Sequence, residues 1–154
     1  DAAKARYFSL GQKAWGLNNC YGICNFFSVP IHAMTFTRLV EAIKAITGWE
    51  TSLFEILRVS ERSNVMARMF NNREGFGPAD DRVIRRWHEP MPDGPLKGQC
   101  IDPKEFRAAV EMYYEISGWD KDGKPTPGKL TDLNLEWLID NDDTGAGEAV
   151  SSSA

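Results

Sequence analysis

Apolar residues along this chain recur mostly at helical spacing, and the breaks between them mark helix ends more clearly than strands. Residues 1–14 read as an Ala-rich helix with Tyr7, Leu10 and Ala14 on one face. Residues 15–34 lose the period, because Gly16, Asn18, Asn19, Gly22 and Pro30 interrupt it, so an irregular segment is expected there. A helix from Thr35 to Thr47 carries Phe36, Leu39, Val40, Ile43 and Ile46 at helical spacing, with Gly48 as its left-handed stop. The longest helix should start at Thr51 or Ser52, where Ser52 and Glu55 fit a capping box, and end at Gly75. Its middle, Ser60 to Asn64, is unusually polar for a core helix.

Between residues 76 and 101, Pro78, Pro90, Pro92 and Pro95 imply a wrapping loop with one short turn near Asp81–Arg86. Asp102-Pro103-Lys104-Glu105 then starts a helix with Asp at the cap and Pro at the first position, and Gly118 stops it. A short helix follows Thr126-Pro127, and Trp137–Ile139 closes the ordered part. The predicted fold class is all-α, a compact irregular domain of about five to seven helices over residues 1–139. Residues 140–154 are predicted to be a disordered acidic and Ser-rich tail.

Composition sharpens this picture in three places. The chain has 154 residues, of which 42% are apolar and 26% charged, which excludes wholesale disorder and fits one soluble domain. No run approaches the length of a membrane-spanning helix. The net charge of −4 argues against general nucleic-acid binding. All of that excess lies in Asp140, Asp142, Asp143 and Glu148, so residues 1–139 are formally neutral. Three cysteines, an odd number in a chain that needs no disulfide, point to a reducing, cytoplasmic compartment. The N-terminus lacks both a start Met and the apolar core of a secretory signal, which suggests a piece of something longer.

Two segments carry candidate chemistry. In Asn18-Asn-Cys20-Tyr-Gly22-Ile-Cys24-Asn-Phe-Phe27, the two thiols could serve iron–sulfur or zinc binding, but their spacing alone is weak and only Cys100, His32 and His88 remain to complete a set. The bland alternative is a pair of ordinary buried cysteines in an apolar turn. The arginines Arg62, Arg68, Arg73, Arg82, Arg85 and Arg86 suit anionic ligands, yet Glu61, Glu74, Asp80, Asp81 and Glu89 favour internal ion pairs instead. Asp80-Asp81 reads either as a catalytic pair or as the cap of a turn. Tyr113, Tyr114 and Trp119 read as packing residues. Nothing assembles a complete catalytic set in this chain.

Taken together, these segments resemble a family. Asn19-Cys-Tyr-Gly-Ile-Cys24 resembles the Asp-x-x-Gly-Leu-Cys motif of the tungsten-containing aldehyde:ferredoxin oxidoreductases, and Phe26 fits the aromatic that follows. Glu61-Arg62, then Arg68-Met-Phe70-Asn71-Asn-Arg73-Glu74-Gly75, is similar to that family's Gly-Glu-Arg and Arg-x-Phe-Asn-x-Arg-Glu-Gly stretch. Asp80-Asp81 with Arg82–Arg86 stands at its Asp-rich turn. Tyr113-Tyr114, Gly118-Trp119-Asp120, Gly123-Lys-Pro125-Thr126 and Lys129-Leu130 match its terminal segment. The four stretches come in family order and cover about residues 19 to 135.

The resemblance implies the C-terminal helical domain of a larger oxidoreductase that converts aldehydes to carboxylic acids. Other relatives act on different aldehydes or reduce aromatic thioesters. Implied cofactors are a tungsten, or sometimes molybdenum, bis-pterin (tungstopterin or molybdopterin) and a 4Fe-4S cluster that passes electrons to a ferredoxin-like partner. Of the cluster's four cysteines, three are implied in an upstream domain and the fourth at Cys24. Ile23 and Gly22 would meet the pterin by apolar and backbone contact, and Asn19 takes the place of the motif's Asp. An amide donates as well as accepts, so that substitution alters the pterin contact. Ser60 for Gly and Ile84 for Pro are further departures. Cys20 and Cys100 fall outside the motif and keep a structural reading.

The implied partners are the upstream domains of the same enzyme and an electron carrier, with a homodimer of the full enzyme allowed and neither nucleic acid nor membrane expected. By itself the chain should not turn over substrate. Two other readings compete. One is a free-standing helical interaction module that has lost the cofactor, which Asn19 favours. The other is a zinc domain using Cys20, Cys24, Cys100 and a His.

Overall fold

The structure, a computed structural model, describes residues 2–28 and 34–140. Seven α-helices are present among them: α1 Ala2–Tyr21, α2 Asn25–Ser28, α3 Phe36–Thr47, α4 Leu53–Arg73, α5 Pro103–Ser117, α6 Pro127–Asp132 and α7 Trp137–Asp140. There is no strand among the described residues, only an isolated antiparallel bridge between Trp119 and Pro125. The all-α expectation holds. The tail beyond Asp140 lies outside the described residues.

Capping chemistry sets most boundaries where the sequence put them. Thr35 caps α3 by accepting from the Arg38 amide, and Gly48 ends it at φ 72°. Ser52 and Glu55 form the reciprocal capping box of α4. Asp102 accepts from the Lys104 and Glu105 amides at the start of α5, and Gly118 ends it at φ 71°. Thr126 caps α6. The short turn in the 76–101 loop is a 3₁₀ turn at Arg85–His88, later than expected. Residues 77–82 instead form a hydrogen-bonded turn, with the Asp80 amide donating to Gly77 O at 2.9 Å, and Asp81 is held there by Arg68.

The first helix departs most from expectation. It does not stop at residue 14 but runs to Tyr21 through Gly16, Asn18 and Asn19. Its inner face is also different from the one the large apolar side chains suggested. Ala5, Ser9, Leu17 and Asn18 are buried, while Tyr7 and Leu10 are exposed. Small residues on the inner face let α1 lie close against α4 and α5. At Gly16 a Cβ would stand 2.2 Å from Ser60 Oγ, so no larger residue fits without a shift. Packing thus offsets the roughly 1 kcal/mol that a mid-helix glycine costs.

Two apolar clusters anchor the domain. Leu17, Leu39, Ile43 and Ile56 tie α1 to α3 and α4, with Tyr21 and Ile23 packed against them. Val65, Met69, Leu130, Leu133, Leu135 and Leu138 fasten the C-terminal segment onto α4. The polar middle of α4 turns inward: Ser60 and Glu61 are buried. Glu61 meets Lys13 Nζ at 3.1 Å and Arg58 Nη1 at 3.5 Å, and it also accepts from Lys129. Burial acts to raise the Glu61 carboxyl, but its hydrogen bonds from Lys129 and Lys13 outweigh that and hold it below the usual range.

Candidate functional site

The predicted cofactor segment is a helix end rather than a free loop. Asn19 and Cys20 belong to the last turn of α1 and are exposed. Gly22 then takes φ 66°, the left-handed conformation that glycine adopts without a Cβ penalty. The Ile23 amide closes the reversal by donating to Asn18 O at 2.8 Å. Nothing lies within 4 Å of where a Gly22 Cβ would project, so the backbone is uncovered on that side. The Ile23 side chain points the other way, into the Leu17–Leu39–Ile43–Ile56 cluster. Cys24 follows, exposed and free.

All three cysteines are exposed, so the reading of Cys20, Cys24 or Cys100 as ordinary buried residues is corrected. Cys20 lies on the outer side of the last turn of α1 and Cys24 follows the reversal, while Leu17, Tyr21 and Ile23 pack inward. The zinc reading finds no support among the described residues, where no three His, Cys, Asp or Glu side chains come together as a metal site. His88 Nδ1 bonds Ile101 O at 2.7 Å, and His32 lies outside the described residues. Burial, followed by Cys20, pushes the Tyr21 phenol up, while the Arg62 charge opposes it.

Uncovered apolar surface lies beside the turn at Phe26 and farther along α1 and at the start of α3. Phe26 is 82% exposed, and Tyr7, Leu10, Trp15 and Phe36 are exposed as well. A groove of about 610 Å³ runs between α1 and α3, lined by Tyr7, Leu10, Trp15, Met34 and Leu39 among others. Contiguous apolar surface of this kind marks an interaction face.

Of the second group of predicted residues, Arg68 and Asp81 form a largely buried polar centre, whereas Arg73, Arg82, Arg85 and Arg86 are exposed. Arg68, 7% exposed, donates from Nη1 and Nη2 to Asp81 Oδ1 and Oδ2 at 2.9 and 2.8 Å, and from Nε to Gly123 O at 2.6 Å. Its Nη2 also reaches Tyr114 Oη at 3.3 Å, and Tyr114 donates to Asp81. The guanidinium lies over the rings of Trp119 at 5.0 Å and Tyr114 at 5.4 Å. Burial acts to raise the Asp81 carboxyl, but its hydrogen bonds from Arg68 and Tyr114 hold it below the usual range. The arginine–acid group is therefore internal ion pairing at Arg68, and Arg85 likewise pairs with Glu89 at 3.0 Å. Asp80 accepts from the Gly77 amide at 2.9 Å, which makes it a turn cap. No catalytic carboxylate pair forms here.

Three resembling stretches distant in sequence meet at this centre: the one holding Arg68, the one holding Asp81, and the terminal Tyr114-to-Gly123 stretch. Residues that sequence reading passed over are Lys13 and Gly16 in α1, and Asn18, whose side-chain amide donates to Asn25 Oδ1 at 2.8 Å. Their signal was a small and polar stripe at helical spacing, which a search for large apolar residues misses.

Known proteins match over this same extent. A family model described as "Aldehyde ferredoxin oxidoreductase, domains 2 & 3" matches residues 1–135. The tungsten-containing aldehyde ferredoxin oxidoreductase of Pyrococcus horikoshii is 32% identical over 135 residues, covering 86% of this chain and 21% of that protein. An aliphatic sulfonate oxidoreductase, WOR-like subunit, of Pyrococcus furiosus is 31% identical over 119 residues, covering 73% of this chain and 18% of that protein. Among solved structures, the active-site complex BamBC of benzoyl coenzyme A reductase with 1,5-dienoyl-CoA has the same fold. Its TM-score is 0.74 at 20% identity, over 97% of this chain and 21% of that one. The chain thus spans about a fifth of the length of the relatives it matches.

Proposed function

This chain belongs to the aldehyde ferredoxin oxidoreductase family, and on that footing we propose that it supplies one thiolate, Cys24, to a 4Fe-4S cluster and one wall of a tungsten- or molybdenum-pterin site. The whole enzyme in this reading oxidises aldehydes to carboxylic acids. The observation that carries the assignment is the turn itself: an exposed thiol without a disulfide, two residues after an uncovered left-handed Gly22. The donor set fits the group in kind, since thiolate is the ligand iron–sulfur clusters take. One thiolate cannot hold a cluster, and the family resemblance assigns the other three to an upstream segment.

Each residue of the turn has a separable task. Ile23 packs its partly buried side chain against the Leu17–Leu39–Ile43–Ile56 cluster and so anchors the turn, and its remaining apolar surface serves the pterin contact the resemblance implies. Gly22 leaves its backbone bare, which permits close approach of a flat ring. Asn19, exposed in the last turn of α1, offers the ring both a donor and an acceptor where the motif's Asp only accepts. The apolar face of Tyr7, Leu10, Trp15 and Phe26 excludes water where the rest of the polypeptide packs against it. When bound, the metal–pterin group supplies the two-electron chemistry, and the cluster relays electrons singly to a ferredoxin-like carrier. Alone, the chain is inactive.

The deciding experiment compares the full-length enzyme with its Cys24→Ser variant for iron and for tungsten or molybdenum per polypeptide. Loss of iron in the variant is the expected result. Unchanged iron would overturn the ligand assignment. Asn19 favours one other reading, a helical interaction module that has lost the cofactor, and a metal-free full-length native polypeptide would establish it.

A further inference from the structure

We propose that Asn18 is a positioning residue for Cys24, holding the thiol in one orientation by bonding both of its chain neighbours; this rests on Cys24 being a cluster ligand. Asn18 is only 5% exposed, although it sits one position from the exposed Asn19 and Cys20. Buried polar groups are retained when they are paired. Its carbonyl accepts from the Ile23 amide at 2.8 Å. Its side-chain Nδ2 donates to Asn25 Oδ1, also at 2.8 Å. The two bonds clasp residues 23 and 25, and Cys24 lies between them.

The clasp is anchored from behind. Leu17, the preceding residue, is fully buried, and Gly16 sets the helix against Ser60. Cys24 itself is exposed, so nothing packed around it would otherwise hold its thiol in one direction. The electronic character of an iron–sulfur cluster depends on how its ligands are oriented and hydrogen-bonded, and the groups behind a ligand set that orientation. The side-chain half of the clasp needs a short side chain with an N–H donor. Leucine keeps the heavy-atom branching of asparagine but is bulkier and cannot donate, which is why the stability control and the Asn25 variant run beside it.

The test uses the full-length enzyme and three variants: Asn18→Leu, Asn25→Leu and, as a stability control in the other apolar cluster, Val65→Ala. Four quantities are read: iron per polypeptide, the electron paramagnetic resonance spectrum of the reduced cluster, its reduction potential, and the rate of iron loss to a chelator. Asn18→Leu is expected to change the spectrum and potential and to speed iron loss about ten-fold or more, the scale seen when groups behind metal ligands are removed. Asn25→Leu should move each quantity in the same direction, and it carries the test if Asn18→Leu fails to fold. Val65→Ala should leave spectrum and potential unchanged. A wild-type spectrum and potential in both asparagine variants would overturn the inference, as would equal changes in Val65→Ala. Cys24→Ser run in parallel separates the failures. If it keeps its cluster unaltered, the ligand assignment and this inference fall together. If it loses or alters the cluster while both asparagine variants keep the wild-type spectrum and potential, only the clasp falls.

Discussion

Arg68 grips both carboxylate oxygens of Asp81, at 2.9 and 2.8 Å, from inside the domain, with the Trp119 ring 5.0 Å from its guanidinium carbon. The pair joins α4 to the loop before the 3₁₀ turn, and the Nε bond to Gly123 O adds the terminal segment. One side chain thus closes three pieces of chain that are far apart in sequence.

Removing that guanidinium leaves Asp81 facing Tyr114 without its cation. Arg68→Ala should cost about 3 kcal/mol or more, the usual penalty for breaking a buried pair from one side. Arg68→Lys should recover little, because a single ammonium cannot span both oxygens and the Gly123 carbonyl. Urea midpoints of the three proteins decide this, and a lysine variant as stable as wild type would contradict it.

Gly123 and Gly22 both have positive φ, at 71° and 66°, but only Gly123 is also crowded. A Cβ there would lie 2.1 Å from Arg68 Nη2 and 2.9 Å from Tyr114 Cζ, whereas at Gly22 it meets open space. Gly22→Ala should therefore cost about 1 kcal/mol from backbone strain alone. Gly123→Ala should cost clearly more and dislodge Arg68. Equal losses of melting temperature would show that the crowding does not matter.

Gly16 and Ser60 form a close contact between α1 and α4 that can be repaired from either side. Gly16→Ala should destabilise, since its Cβ meets Ser60 Oγ at 2.2 Å, and Ser60→Ala should restore stability by leaving only an ordinary Cβ contact. Ser60→Ala alone should be neutral or slightly stabilising, because the buried hydroxyl has no hydrogen-bond partner. A double-mutant cycle measures the coupling. Purely additive effects would refute the contact.

The carboxyls of Asp81 and Glu61 are both held below their usual range, by Arg68 and Tyr114 in one case and by Lys129 and Lys13 in the other. A depressed folded value adds stability that is complete above the unfolded value and lost as pH falls through the folded one. Melting temperature should thus fall progressively as pH drops below about 5. Glu61→Gln should start lower and fall less steeply. Parallel curves would assign the acid sensitivity elsewhere.

Much of this domain was legible along the chain because its signals are local. Asp102 with Pro103, and Ser52 with Glu55, cap helices through side-chain bonds to amides two or three residues away. The ends at Gly48 and Gly118 follow from the left-handed conformation that glycine accepts most readily. By contrast, the extent of α1 was not legible. Its buried stripe is made of small and polar residues, which carry no hydrophobic signal until α4 and α5 lie against them. The burial of the cysteines was misjudged for a related reason: composition makes Cys a core residue, but here Ile23 and Leu17 fill the core and the thiols are left outside.

The sequence by itself determined the all-α class, most of the helix boundaries and the motif pattern that marks the family, because capping bonds, glycine turns and residue order act over a few positions. Only the tertiary structure decided that Arg68 and Asp81 pair inside the domain and that Glu61 gathers two lysines. It also decided that Asn18 reaches around Cys24. Those outcomes depend on which distant backbones can approach closely enough to exclude water, and the Gly16–Ser60 and Arg68–Gly123 contacts set that distance.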